Sequence, residues 1–216
     1  MIIFKMKIAL SLLIILCILY FYRGCKTGYV KNNGDWSWVT IDESQGKKLH
    51  WIEGIDQNTF TVLKNKSFAL DQNQVYFKGK KINHASPEGF EPLTDDEYGY
   101  AKDNNHAFFN EEVIINADPL TFEVLKFPYS KDKNDIYCGT LPMKLGHEDV
   151  LSFKVTNDDK LMAGMISTTA LTHFLELHPE YKWLREQEIV IQKVITGNTG
   201  TGQTANKKFQ GFKELK

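Results

Sequence analysis

The sequence predicts a mainly β protein of antiparallel β-hairpin and meander repeats, with an N-terminal transmembrane helix and a small α/β C-terminal segment. The first observation is a phenylalanine that recurs about every 31 residues, at Phe60, Phe90, Phe122 and Phe153. The second is an apolar run near the N-terminus, and the third is the loss of the period after Asn157. Together they divide the chain into residues 1–27, 28–156, 157–196 and 197–216.

The charge balance does not favour nucleic acid as a partner. Of 216 residues, 26 are Lys or Arg and 27 are Asp or Glu. Such a balance gives no global field that would attract a polyanion. Aromatic residues make up 12 % of the chain and suit the half-buried faces of β-sheets. We therefore expect a β protein that does not bind nucleic acid.

Residues 1–27 are expected to be a membrane anchor or a signal segment. Residues 8–22 form an apolar run with basic residues on both flanks. This run is short for a bilayer core of about 30 Å, but residues 2–4 extend it to an adequate length if the lysines between them snorkel. A retained single-pass anchor is favoured. A cleaved signal peptide and a lipoprotein modified at Cys25 stay open as alternatives.

The short N-terminal tail favours a cytoplasmic N-terminus. Residues 28–216 would then lie on the periplasmic or extracytoplasmic side of a bacterial inner membrane, although the nearly equal basic flanks leave the positive-inside rule undecided. In an oxidising compartment, a disulfide between Cys25 and Cys138 is one option. The favoured interpretation of Cys138 is a substitute for the aromatic residue that the other repeat copies carry.

Residues 28–156 are expected to form the β-repeat domain. Each copy opens with a turn around an Asp or Ser and continues into a strand near the recurring Phe. The four openings are Ile52–Phe60, Ile82–Phe90, Ile114–Phe122 and a less regular Leu145–Phe153. An Asp-x-Asn segment and a short aromatic-rich stretch follow in three copies, at Asp71, Asp103 and Asp132. The pattern predicts a meander of about three short strands in each copy.

The Asp-x-Asn segments have two interpretations. Oxygen ligands two residues apart begin many calcium loops, but the Gly and the later acidic residue of such loops are missing. A hairpin turn explains the same residues, because Asp accepts hydrogen bonds locally and Asn tolerates a positive φ. The turn is favoured, and no metal or cofactor is expected.

The three Asp-x-Asn segments, each followed by aromatic residues, resemble the motif of the bacterial DKNYY family. The resemblance covers roughly Trp51–Val155, and the third copy departs most, with Tyr137-Cys138 in place of two aromatic residues. It implies membership of a family with no assigned enzymatic activity and no catalytic residues to transfer. Many members of that family look exported or membrane-anchored.

Aromatic residues are the candidates for a protein-binding surface. Trp36 and Trp38 alternate along one strand, where they either bind a partner or close the end of the repeat array. One aromatic residue from each repeat completes the expected surface. Its members are Trp36, Trp38, Tyr76, Phe108 and Tyr137.

Residues 157–196 are expected to form a small α/β cap. Leu171, Phe174, Leu175 and Leu177 predict an amphipathic helix that ends near Pro179, and a strand is expected over residues 188–195. Residues 197–216 are expected to be a flexible Gly/Thr-rich tail. Their Gly197–Thr204 stretch has the spacing of a phosphate-binding loop, but Gln203 replaces its Lys and too little chain follows to hold a nucleotide.

His173, Glu176 and His178 are the candidate metal ligands of the C-terminal helix. His173 and Glu176 share a helix face, but His178 does not, so the three are expected to be solvated surface residues.

Three functions remain open after the sequence alone. The favoured one is a non-enzymatic, membrane-anchored envelope protein that presents its β-repeat surface to an unidentified protein partner. The second is an immunity protein that neutralises a toxin delivered to the periplasm, and the third, least favoured, is a metal-dependent hydrolase.

Overall fold

The computed structural model describes residues 27–95, 99–157 and 166–216, and it confirms a mainly β fold of small antiparallel sheets. The N-terminal sheet has the order β1 (Gly28–Asn32), β2 (Asp35–Asp42) and β3 (Gly46–Trp51). Asn33 and Gly34, both with positive φ, form the β1–β2 turn, as the right-handed twist of a two-residue hairpin favours. Cα partners across the sheet include Gly28 with Val39 and Val39 with Leu49.

Three four-stranded meanders follow, one for each complete repeat copy. Unit 1 contains β4 (Thr61–Val62), β5 (Phe68–Leu70), β6 (Val75–Phe77) and β7 (Lys80–Lys81). Unit 2 contains β8 (Glu91–Pro92), β9 (Tyr100–Lys102), β10 (Ala107–Phe109) and β11 (Glu112–Val113). Unit 3 contains β12 (Glu123–Val124), β13 (Tyr129–Lys131), β14 (Ile136–Cys138) and β15 (Leu141–Pro142). Each unit therefore has four strands and not the expected three, because the short stretch after each recurring Phe pairs with the next strand.

A fourth unit is present, but its chain is interrupted. After α1 (His147–Ser152), β16 (Lys154–Asn157) pairs with β19 (Thr201–Gln203), and β20 (Lys208–Gln210) and β21 (Lys213–Leu215) complete the sheet. The repeat period thus resumes at Thr201. The expected flexible tail over residues 197–216 is wrong, since these residues supply three strands of unit 4.

The chain between β16 and β19 carries the α/β segment. It contains β17 (Ile166–Ala170), α2 (Leu171–Leu177), a 3-10 helix (Pro179–Glu186) and β18 (Lys193–Gly197). The helix expected before Pro179 is present, whereas the expected strand lies closer to the C-terminus than residues 188–195. β17 and β18 form an antiparallel pair, and backbone bonds tie this pair to unit 3, with Thr140 donating to the Ile195 carbonyl at 2.8 Å.

The core lies between consecutive units rather than inside any one of them. Unit 1 and unit 2 share a cluster around Phe68, Phe77 and Phe108, and units 2 and 3 share one around Tyr100, Phe127 and Tyr137. Such a core is the physical reason for a repeat, since one unit alone cannot cover its apolar face.

Tyrosine hydroxyls link neighbouring units in a recurring way. A tyrosine in one unit donates to the carbonyl of the residue at the entrance of the second strand of the next unit. The bonds join Tyr29 to Ser67, Tyr100 to Pro128 and Tyr129 to Gly200, at 3.4, 2.9 and 3.0 Å. Phe68 occupies this place in unit 1 and packs against Gly99 of unit 2, where any Cβ would collide with the Phe68 and Phe77 rings.

The expected membrane anchor falls outside the described residues. Within the ranges that the structure describes, no helix is long and apolar enough to cross a membrane. Residues 8–22, Cys17 and Cys25 are not among them, so the Cys25–Cys138 disulfide stays a prediction. Cys138 is buried as a free thiol that donates to the Gly197 carbonyl at 3.5 Å, and burial raises its pKa to about 12.

Candidate functional site

Four of the five aromatic residues that were expected to form a binding surface are buried. Tyr76 and Phe108 have no exposed surface, Tyr137 is 1 % exposed and Trp38 is 8 % exposed. The stacking of units buries these rings, which an alternation pattern in a single strand does not reveal. Trp36 is partly buried against Phe60, with ring centroids 5.1 Å apart. The two tryptophans therefore close the N-terminal end of the repeat array.

The Asp of each Asp-x-Asn segment organises its own hairpin. In unit 1, one carboxylate oxygen of Asp71 accepts from the Asn73 and Gln74 amides at 2.7 and 2.8 Å. The other oxygen accepts from the Asp56 amide and from the Tyr76 hydroxyl, both at 2.9 Å. The buried carboxylate thus ties the turn, the opening of the unit and the third strand together.

These hydrogen bonds also decide the protonation of Asp71. Burial by itself would raise the pKa of the Asp71 carboxyl, but the amides of Asp56, Asn73 and Gln74 and the Tyr76 hydroxyl outweigh it and lower the pKa below its usual value. Burial raises the pKa of the Tyr76 hydroxyl, and its hydrogen bond to the Asp71 carboxylate raises this pKa further.

The other units vary this arrangement. Asp132 in unit 3 repeats it, with Tyr137 donating at 2.9 Å, whereas in unit 2 Phe108 replaces the tyrosine and Asp103 keeps its amide donors. In unit 4, Thr204 replaces the Asp and its hydroxyl accepts from the amides two and three residues ahead, at 3.3 and 3.1 Å. The hairpin turn is therefore the role of this position. The Asn residues of these turns do not have positive φ, so the expected role of Asn in the turn is wrong.

The candidate metal ligands of α2 do not converge. His173 lies 3.2 Å from Glu176 on the exposed face, while His178 packs against the Phe174 and Phe212 rings and lies 3.5 Å from Glu180. Within residues 27–95, 99–157 and 166–216, no group of three or more His, Cys, Asp or Glu side chains has the geometry to hold a metal ion.

The glycines of the phosphate-loop-like stretch serve close packing. A Cβ at Gly197 or Gly200 would collide with Pro128, and one at Gly202 would collide with the Phe153 ring. Gly200 also accepts the inter-unit hydrogen bond from Tyr129. Gly197 and Gly200 therefore let unit 4 and the α/β segment pack against unit 3, and Gly202 packs against the recurring Phe of its own unit.

Among the clefts of the described residues, one of about 480 Å³ includes an exposed tryptophan in its lining, and we call it the N-terminal cleft. One wall is formed by Trp38, Thr40, His50 and Trp51 of the N-terminal sheet, and the other by the tight turns at residues 77–80 and 110–111. Trp51 is 70 % exposed, and the Thr40 hydroxyl lies 2.7 Å from a His50 ring nitrogen. At the turns, Lys80 forms an ion pair with Glu111 at 3.1 Å.

Trp51 is the surface residue that the sequence argument missed. It ends the strand β3, which lies outside every repeat copy and follows a polar turn. The alternation of Lys47, Leu49 and Trp51 was the available signal, because it predicts a strand with both apolar side chains on one face.

Comparison with protein families decides the relationship. A family model described as the DKNYY family matches residues 43–99 and residues 68–210. The chain belongs to the DKNYY family. No curated protein and no solved structure matches it.

The DKNYY matches extend beyond the repeats that the sequence alone suggests. The second match ends at residue 210, which is the last residue of β20 in unit 4. The resemblance visible in the sequence alone ends near Val155. The longer match agrees with a fourth unit that is resumed after the α/β segment.

Proposed function

We propose that this DKNYY protein is a non-enzymatic, membrane-anchored envelope protein that binds a segment of a partner protein in the N-terminal cleft. The observation that carries the proposal is the cleft itself, whose lining includes the exposed Trp51 and polar residues of two different units. A pocket with an apolar wall and a few convergent polar groups is the usual form of a binding site.

The chemistry of the cleft favours a peptide segment over a small charged metabolite. Trp51 offers a large, rigid apolar face, as the hot spots of protein interfaces commonly do. The Thr40 hydroxyl and His50 ring offer hydrogen bonds, and Lys80 with Glu111 provides charges of both signs at 3.1 Å. An extended segment with one apolar side chain and polar neighbours fits these groups.

Residues 8–22 support the envelope part of the proposal. An anchor there would hold the N-terminal sheet, which begins at Gly28, close to the membrane. Fractionation and protease digestion of intact spheroplasts test this placement. We expect the chain in the membrane fraction and residues 28–216 open to protease, while protection until lysis would contradict the proposed orientation.

Partner binding is tested by affinity capture with tagged full-length protein from envelope extract. Trp51→Ala should lower recovery of the captured partner at least tenfold, as loss of a binding hot spot of about 1.4 kcal/mol or more requires. Leu120→Ala is the matched control, because Leu120 is also an exposed apolar residue but lies in the loop that opens unit 3. Equal recovery with both variants would rule out the cleft as the binding site.

An immunity role is a narrower form of the same proposal. It requires that the captured partner is a toxin and that cells carrying Trp51→Ala lose protection against it. A captured housekeeping envelope protein would leave the binding proposal standing and remove the immunity role.

A further inference from the structure

The strand β3 has an open edge. It is the outer strand of the N-terminal sheet, and in the described part of the chain no other strand pairs with its outer side. All six of its residues are exposed, including Leu49 at 44 % and Trp51 at 70 %. Proteins usually protect such an edge, because its free N–H and C=O groups form a template for another strand.

We propose that β3 pairs antiparallel with β3 of a second copy of this chain, about a two-fold axis that passes beside Leu49. The two three-stranded sheets then become one sheet of six strands. This inference goes beyond the proposed function, because it concerns a second copy of the chain and not the partner in the cleft.

Strand geometry restricts the register of this pairing. In an antiparallel ladder, two residues that lie opposite each other point their N–H and C=O groups either both towards the partner strand or both away from it. Neighbouring residues of one strand point these groups in opposite directions. The two-fold axis of a symmetric pair therefore passes beside one residue and not between two residues. Centring on Lys48 would place two lysines opposite each other, and like charges in that position are destabilising. Centring on His50 would leave Lys47 without a partner in the strand. Centring on Leu49 avoids both problems.

The Leu49-centred register is self-complementary. Leu49 lies opposite Leu49 of the second copy, and each Lys47 lies opposite a Trp51, where an ammonium group over an indole ring is attractive. Lys48 lies opposite His50 on the other face. Leu49 is thus covered, and each cationic end of the strand meets the aromatic end of its partner. A two-fold axis requires this reciprocal match.

Disulfide trapping in full-length protein in its own membranes tests the register. The background carries Cys17→Ser and Cys25→Ser, while the native Cys138 is buried and stays. In Leu49→Cys the two introduced cysteines face each other within about 6 Å, so mild oxidation should link the copies. In Lys47→Cys, the matched control, they lie four residues apart along the ladder, about 13 Å, which is beyond the reach of a disulfide.

We expect at least tenfold more linked dimer with Leu49→Cys than with Lys47→Cys. Equal linking, or none with either variant, would overturn the proposal. A link from Leu49→Cys to a different protein would also overturn it and would assign the edge to that protein.

Leu49→Lys separates this inference from the proposed function. It places two lysines opposite each other, so full-length protein in detergent should sediment as a monomer where the unsubstituted protein sediments as a dimer. Leu49 does not line the N-terminal cleft, so capture of the cleft partner should persist. An unchanged circular dichroism spectrum serves as the folding control, and a Leu49→Lys protein that stays dimeric would refute the pairing.

Discussion

Replacing Asp71 with asparagine tests how one repeat unit is held together. The asparagine side chain retains one acceptor oxygen, which serves the Asn73 and Gln74 amides of the turn. Its NH₂ group then faces the Asp56 amide, so a donor meets a donor in a site without solvent exposure. Hydrogen bonds to a charged group contribute about 1.5–3 kcal/mol, and a buried unsatisfied donor costs a similar amount. We expect Asp71→Asn to lower the free energy of unfolding by about 3 kcal/mol.

Tyr76→Phe removes a single hydrogen bond from the same carboxylate and should cost about 1.5 kcal/mol. Unit 2 supports this smaller value, because Phe108 stands in that position naturally. The double variant with Asp71→Asn should cost less than the sum of the two, since both changes affect one buried network. The measurement is urea unfolding of the full-length protein, followed by tryptophan fluorescence.

Asp42→Asn is the matched control. Asp42 also accepts amide hydrogen bonds in a turn, from Ser44 at 2.8 Å and Gln45 at 2.9 Å, but unlike Asp71 it is partly exposed to solvent. Its substitution should affect stability less than Asp71→Asn. If the two substitutions have equal effects, or if Asp71→Asn leaves the unfolding midpoint unchanged, the carboxylate does not hold the unit in the way described.

Three further outcomes follow from the same contacts. Hydrogen bonds lower the pKa of Asp71 below its unfolded value near 3.8. The ionised carboxylate therefore stabilises the fold above that value, and this stabilisation is lost as the pH falls through the lower folded-state pKa. Acid unfolding curves of Asp71→Asn should lack this loss. Gly99→Ala should cost about 1–3 kcal/mol in thermal unfolding, because its Cβ would collide with Phe77. Tyr100→Phe should cost about 1 kcal/mol in urea unfolding through the lost bond to Pro128, and an unchanged midpoint would show that the inter-unit bond contributes nothing.

Local patterns predicted the repeat well because the repeat is a local structure. The turn at Asp71 is made by amides two and three residues ahead, and the two-residue turn at Lys78 and Gly79 uses positive φ at both places. Such interactions depend on neighbours in the sequence, so single-sequence reasoning reaches them. The assignment of a positive φ to the Asn residues failed because the Asp side chain already closes that turn.

Burial and continuity were beyond the reach of the sequence pattern. Tyr76 alternates like a surface aromatic residue, yet the neighbouring unit covers it. Thr201–Leu215 reads as a polar tail, yet β16 supplies its missing first strand from more than 40 residues upstream. Segments with such a weak strand pattern form strands only when a distant segment of the chain pairs with them.

The sequence by itself determined the β class, the period of about 31 residues, the turn chemistry of Asp71, Asp103 and Asp132, and the family. Each of these depends on residues within one unit. The tertiary structure alone decided which aromatic rings are buried, where unit 4 resumes, and that Leu49 and Trp51 of β3 are exposed. Those outcomes depend on contacts between units, which are set by the stacking of the sheets and not by the order of neighbouring residues.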